Sequence, residues 1–225
     1  MQYDVITLFP QMIENYCNQS ILSRGAKNGV ISINTHNPRE FGIGKHKRVD
    51  DTPYGGGDGM VLMCGPIFDS YNNIPKLKNT QTILLTPQGQ PFCQKKAEKL
   101  ASFEQLILIC GHYEGFDERI RTNLCQNIEE ISIGDFVLTG GELGALCIID
   151  ATSRYLEGVL GKTNCAHEDS FEDGLLEYPQ YTKPADYKGL KVPEVLLSGN
   201  HKLIEQWRYE QKLERTKNRR PDLIN

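Results

Sequence analysis

No apolar run in this chain approaches the length needed to cross a bilayer. The first residues, Met1-Gln-Tyr-Asp-Val, lack the basic lead-in of a secretory signal. Seven cysteines (17, 64, 93, 110, 125, 147 and 165) form no C-x-x-C pair and are odd in number. Several stand in apolar runs, as in Ile107-Leu-Ile-Cys110, so reduced and mostly structural thiols in a cytoplasmic protein are expected, and no zinc site. The common nucleotide and hydrolase templates are missing too. Gly55, Gly57 and Gly59 crowd together with Met60 where a G-x-G-x-x-G needs its last glycine. Gly158-Val-Leu-Gly-Lys-Thr163 has Leu156 where a phosphate-binding loop needs glycine. There is no G-x-S-x-G elbow and no H-E-x-x-H pair. Dehydrogenase, P-loop and serine-hydrolase chemistry recede, while a cofactor held mainly by backbone stays open.

What is present describes an ordinary soluble chain. Its 225 residues, 39% hydrophobic and 24% charged, suffice for one large domain or a domain with a small appendage. The net charge of −4 is unevenly spread. Residues 201–220 carry seven Lys/Arg against three Glu, a local +4 that leaves −8 for the remainder. A basic segment on an acidic body can meet phosphates through one face, although a solvated helix of mixed charge reads the same way.

In chain order, Tyr3-Asp-Val-Ile-Thr-Leu-Phe9 reads as a strand stopped by Pro10, which can open a helix through Cys17. Val30-Ile-Ser-Ile-Asn-Thr35 alternates as a second strand. Residues 42–60 follow neither period, and so long a loop tends to be functional or disordered. A helix is expected from Cys64 to Tyr71. Strand 82–86, turn 87–89, helix 92–100 and strand 105–110 then predict a right-handed parallel crossover, hence an α/β sheet with helices on both faces. Asp117 can cap a further helix. Ligands of such sheets lie beyond the carboxyl ends of the strands, where three turns are expected to converge: 87–89, 111–114 and 133–141.

The last of these belongs to Ser132-Ile-Gly-Asp-Phe-Val-Leu-Thr-Gly-Gly-Glu-Leu-Gly144. It is apolar enough to be buried, yet its glycines forbid both a regular strand and an amphipathic helix. Backbone bending sharply deep in the protein is therefore expected, able to show bare N–H and C=O groups to a flat polar ligand. A pair of ordinary tight turns is the alternative.

Five separated stretches then fall in a telling order: Asp51-Thr-Pro-Tyr-Gly-Gly-Gly-Asp-Gly-Met60, Cys110-Gly-His-Tyr-Glu-Gly115, residues 132–142, Asp169-Ser-Phe-Glu-Asp-Gly-Leu-Leu176 and Leu196-Leu-Ser-Gly-Asn-His201, with a Trp207-Arg208 helix ending in Arg219-Arg-Pro221. Through nearly its whole length the chain resembles the bacterial tRNA (guanine-N1)-methyltransferases that act on guanosine 37 beside the anticodon. His112 and Phe136 depart from the Arg and Tyr common in that family, without touching a group assigned to chemistry. The resemblance implies a SPOUT fold: a parallel α/β domain over residues 1–160 with a deep C-terminal trefoil knot, a linker over 161–168, and a small helical tRNA-binding domain over 169–225. It implies S-adenosylmethionine at Thr86, Pro87, Gly111, Tyr113, Glu114, Ile133, Gly134, Asp135, Phe136, Val137, Leu138, Gly140 and Gly141. It also implies a homodimer with each active site shared between chains.

Guanine N1 carries a proton at neutral pH, so a base must take it and a donor should steady charge growing on O6. The resemblance places these roles on Asp169 and Arg154. Asp169-x-x-Glu172 is equally a capping-box spacing, and Arg154 equally a salt-bridge residue. Lys202, Arg208, Arg215, Lys217, Arg219 and Arg220, with Lys45 and Arg48, are the expected phosphate contacts. Asp50 and Gly59 are expected to flank the guanine being read. Leu203, Trp207 and Leu213 are expected to pack as core. No metal is assigned, although Glu114 leaves a Mg²⁺ role open. A non-catalytic RNA-binding scaffold and a SPOUT methyltransferase with another RNA target or a 2′-hydroxyl target are the competing readings.

Overall fold

Six consecutive residues of one strand, Gln105–Cys110, are all buried, and the five after Gln105 are the apolar run expected between two helical layers. In the computed structural model, which describes residues 1–160 and 169–224, this strand is the middle of a five-stranded sheet. The strands are β1 (Gln2–Ile6), β2 (Ser32–His36), β5 (Thr80–Pro91), β6 (Gln105–Cys110) and β7 (Ile128–Ser132). Their order is β2-β1-β6-β5-β7, and every pairing is parallel.

The pleat of β6 sorts its side chains between two cores. Leu106, Leu108 and Cys110 join Tyr3, Val5, Ile83 and Leu85 under helices α1 (Pro10–Cys17), α2 (Ser20–Lys27), α4 (Gln94–Leu100) and α6 (Glu142–Ser153). Ile107 and Ile109 join Ile6 and Leu84 on the other face, under α3 (Cys64–Asn73) and α5 (Glu118–Asn123). Helices on both faces of a parallel sheet are thus present as expected. Each fully buried Leu or Ile contributes about 1.5–3 kcal/mol, so the central strands dominate stability. Pro10 opens α1, and Asp117 caps α5 by accepting from the Arg119 N–H at 2.9 Å. The expected unstructured passage 42–60 contains one short strand, β3 (Asp50–Asp51), paired antiparallel with β4 (Val61–Leu62). Helix α2 was not foreseen. Gly25, in its last turn, sits 3.2 Å by its missing Cβ from Val159, which is why a glycine serves there.

Contacts divide the chain into two compact units, Met1–Thr163 and Asn164–Asn225. The linker expected over 161–168, and Cys165 within it, lie outside the described residues. Within the second unit, residues 169–176 turn without forming a helix. The Phe171 N–H donates to the Leu175 carbonyl at 2.7 Å, and Phe171 itself adopts φ +79°. The capping-box reading of Asp169 and Glu172 is therefore not realised: there is no helix start to cap. A hairpin of β8 (Asp186–Tyr187) and β9 (Leu190–Lys191), a short α7 (Glu194–Leu197) and the long α8 (His201–Arg219) follow. Asn200 caps α8, its side chain accepting from the Leu203 N–H at 3.3 Å. Leu203, expected as core, is half exposed, and Trp207 and Leu213 are only partly buried. Thr216 is the one buried residue among the described residues of this unit, so its apolar side chains have no interior of their own to fill.

One buried polar cluster links three strands. Asp4, 1% exposed on β1, accepts hydrogen bonds from Gln105 at 2.6 Å, Gln2 at 2.8 Å, His36 Nε2 at 2.8 Å and Asn34 at 3.2 Å. Burial pushes its carboxyl up, but the bonds from His36, Gln105, Gln2 and Asn34 together outweigh burial and hold it below its ordinary 3.8. The stability it supplies is fully present above that value and is lost as pH falls through the lower folded one. Asp4→Asn should therefore melt below the wild type at pH 7, with the gap shrinking as pH drops below 3.8. Melting temperatures of both proteins across that range test this, and a gap constant with pH contradicts it.

Candidate active site

Three stretches, one looping out of β5 and two following β6 and β7, meet around one cleft of about 220 Å³. The first is an excursion within β5. Leu85 and Gln90 both pair with Ile131 of β7, so residues 86–89 loop out of the sheet between them. The second follows β6, where Tyr113 adopts φ +59° and Gly115 φ +116°. The third runs from Ile133 to the start of α6.

Main chain meets main chain at the bottom of this cleft. The Gly141 N–H donates to the Gly111 carbonyl at 2.8 Å, and His112 bridges Gly140. A Cβ on Gly141 would lie 2.8 Å from the Cys110 Cα and 2.9 Å from the Gly111 nitrogen. Backbone on both sides leaves nowhere for a side chain to go, so only glycine allows the approach. On the outer rim, Gly59 performs a similar service with φ +87°: its missing Cβ would fall 2.5 Å from the Glu114 Cγ. The long early loop is fastened there by Glu114 N–H to Met60 O at 2.9 Å and Leu62 N–H to Gly115 O at 2.9 Å.

Charge around the cleft is arranged in pairs. Arg121 of α5 lines it, donating to Glu130 at 2.9 Å, Glu118 at 2.9 Å and the Thr86 hydroxyl at 3.4 Å. Burial works against its charge, but Glu130 and Glu118 outweigh burial and hold it above its ordinary value. Glu142, the first residue of α6, is 3% exposed and accepts from the Thr7 hydroxyl at 2.7 Å, tying the helix to β1. Burial, followed by this neighbouring carboxylate, pushes the Cys110 thiol well above its usual range, so it stays protonated and inert. A second hollow of about 240 Å³ adjoins the first, lined by Phe9, Met12, His112 and Leu143 among others.

The structure gathers Thr86, Pro87, Gly111, Tyr113, Glu114, Ile133, Gly134, Phe136, Val137, Leu138, Gly140 and Gly141 around the cleft, leaving only Asp135 of that set outside its wall. One expectation about them fails. The stretch 132–144 is buried at both ends but not in the middle: Phe136, Val137 and Leu138 are 55%, 83% and 38% exposed. Among the described residues nothing covers the middle of this loop, so its apolarity does not mean burial. Arg154 follows the last turn of α6 and does not line the cleft, and Asp169 belongs to the second unit. Arg48 pairs with Asp51 at 3.2 Å, and Asp50, like Asp51, lies on β3. Lys45 is exposed nearby. In the second unit Lys202, Arg208, Lys217, Arg219 and Arg220 are exposed and Arg215 is half-buried. Arg208 stacks over Tyr178 at 4.7 Å, and Arg220 is paired with Asp222 at 2.7 Å.

Arg121, Gln88, Phe116 and Thr139 line the cleft without having been foreseen. For Arg121 a signal existed: Glu118 three residues earlier is the spacing of a helical ion pair. Among the described residues no group of three or more His, Cys, Asp or Glu could hold a metal ion. No described helix is long and apolar enough to cross a membrane.

The two glycines flanking the start of α6 should respond differently to a methyl group. Gly141→Ala must push backbone aside and should lower the melting temperature by several degrees, about 1–3 kcal/mol of overpacking. Gly144→Ala meets only side chains, Leu85 at 3.3 Å and Ile133 at 3.6 Å, and should cost much less. Thermal unfolding of both variants checks the ranking, and equal losses would refute the close-approach argument.

A chain with this cleft can be placed among known proteins. A model of the family described as tRNA (Guanine-1)-methyltransferase TrmD matches residues 1–225. Proteins named tRNA (guanine-N(1)-)-methyltransferase from Staphylococcus aureus strains JH9, Newman and N315 are each 53% identical over 224 residues, covering 100% of this chain and 91% of the relative. A match over the full length, at that identity, includes both units and every turn of the cleft: the chain belongs to the tRNA (Guanine-1)-methyltransferase TrmD family.

Proposed function

We propose that this family member, a tRNA (guanine-N1)-methyltransferase, takes its methyl group from S-adenosylmethionine and places it on N1 of guanosine 37, beside the anticodon. The observation that carries the reading is the convergence of three turns on one cleft, with bare backbone at Gly111, Gly140 and Gly141. The residues present fit such a donor. Apolar side chains (Leu85, Ile131, Ile133, Leu138) suit the faces of a purine, main-chain groups suit its edges, and the Glu114 carboxylate suits a sulfonium charge. When bound, the donor supplies an electrophilic methyl group.

The chain's own work is then proton and charge management. Asp169 accepts the N1 proton of guanine as the ring nitrogen turns nucleophile. Arg154, permanently charged, steadies negative charge on O6 directly or through Asp169. Lys45 and Arg48, together with Lys202, Arg208, Arg215, Lys217, Arg219 and Arg220, contact tRNA phosphates, while Asp50 and Gly59 address the target and its neighbour. Gly59 touching Glu114 supports this placement, since it joins the base-reading loop to the donor cleft.

The working form in this reading is a cytoplasmic homodimer with a shared active site. Its support is the exposed apolar set Phe9, Met12, Leu138 and Leu143 around the second hollow, a surface large side chains seldom offer to water without a partner. A trefoil-knotted SPOUT backbone over the first unit and a tRNA-binding second unit complete the proposal. The close passage of residues 140–141 against 110–111 is in keeping with a knot.

Mass spectrometry of tRNA incubated with protein and labelled S-adenosylmethionine should show one methyl on N1 of guanosine 37. Asp169→Asn should lower transfer by about 10²–10⁴-fold while calorimetric affinity for the donor stays within about twofold. Turnover near the wild-type rate would remove Asp169 from its role. A protein that binds neither S-adenosylmethionine nor S-adenosylhomocysteine would be a scaffold, and the whole reading would fall.

A further inference from the structure

Among the described residues lining the donor cleft, Arg121 is the one Lys or Arg, and the contacts of its guanidinium point in three directions. Nε donates to Glu130 of β7, one terminal nitrogen donates to Glu118 of its own helix, and the other reaches the Thr86 hydroxyl oxygen at 3.4 Å. The arginine side chain is only 15% exposed, Glu130 33% and Glu118 71%. The Glu118 bond is thus mostly a solvent-screened contact, while Glu130 fixes the plane of the fork.

The contact with Thr86 has a consequence for hydrogen-bond polarity. Thr86 Oγ1 also accepts from the Gln88 N–H, at 3.3 Å. A hydroxyl has two acceptor positions and one hydrogen. With Arg121 and Gln88 both donating to it, the acceptor positions are filled and the hydrogen must point elsewhere. Each bond is long and weak alone. Their agreement on one oxygen is what sets the rotor.

We propose that Arg121 is a positioning residue that turns Thr86 into a hydrogen-bond donor aimed into the cleft, where it meets an acceptor on the adenosyl part of the methyl donor, a ring nitrogen or a ribose oxygen. The inference rests on the S-adenosylmethionine reading above and adds a residue and a polarity to it. Arginine is required because lysine cannot hold Glu130, Glu118 and Thr86 at once from a single nitrogen. A ligand offering a donor at that atom would be disfavoured, since two donors would face each other.

A double-mutant cycle read by calorimetry with S-adenosylmethionine and S-adenosylhomocysteine tests the coupling. Thr86→Val removes the hydroxyl with little change of shape and should weaken binding about tenfold, as the loss of one hydrogen bond does. Arg121→Ala should weaken it by a similar factor and, in kinetics, raise KM for the donor with kcat and the tRNA KM little changed. Arg121→Ala on the Thr86→Val background should then cost almost nothing more. Should the alanine variant not fold, Arg121→Lys takes its place in the cycle with the same expectation. Unchanged affinity in either single variant, or losses that simply multiply, overturns the proposal. A wild-type protein that binds neither ligand instead sinks the donor reading itself.

Discussion

Everything about the cleft depends on main chain being allowed to touch main chain. Where the exit of β6 passes the entry to α6, no atom larger than hydrogen fits on Gly141. That contact lets three turns from three strands share one wall. A side chain there would force the two backbones apart and loosen the packing of the turns against each other. The sheet beneath supplies the rigidity: its middle strand is buried on both faces and fixes the strand ends from which the turns depart.

The electrostatics follow the same logic of economy. For the cationic donor proposed above, a cleft gains from a carboxylate on its rim and loses from loose positive charge. Glu114 provides the first. The second is avoided by tying the arginine in the wall to two glutamates, which turns a charge into a geometric brace. Buried Glu142 braces α6 against β1 through Thr7 in a comparable way. The long early loop, bonded to residues 114–117, comes to the same rim. Cleft and early loop are in this sense one construction.

Much of this was legible in the residues and some was not. The period-two and continuous apolar runs gave the sheet, because burial on two faces leaves a plain signature in β6 and β5. The turns were legible because glycine inside apolar sequence has few other uses. The exposed middle of residues 132–144 misled, since apolarity reports only that water is unwelcome, not whether this chain or another molecule excludes it. Leu203 misled for the same reason. Asp169 illustrates a different limit: its capping-box spacing is real, yet the chain turns there instead of coiling. Arg121 went unnoticed because its partners Glu130 and Thr86 are distant in sequence and meet it only once the sheet is assembled.

The central claim is that residues 86–88, 111–116 and 133–141 form a single ligand site. Hydrogen exchange of the protein with and without S-adenosylmethionine tests it most directly, because protection reports on each amide separately. The account predicts that amides of all three segments slow together and saturate at one donor concentration. Protection confined to one segment, or appearing outside all three, would contradict it.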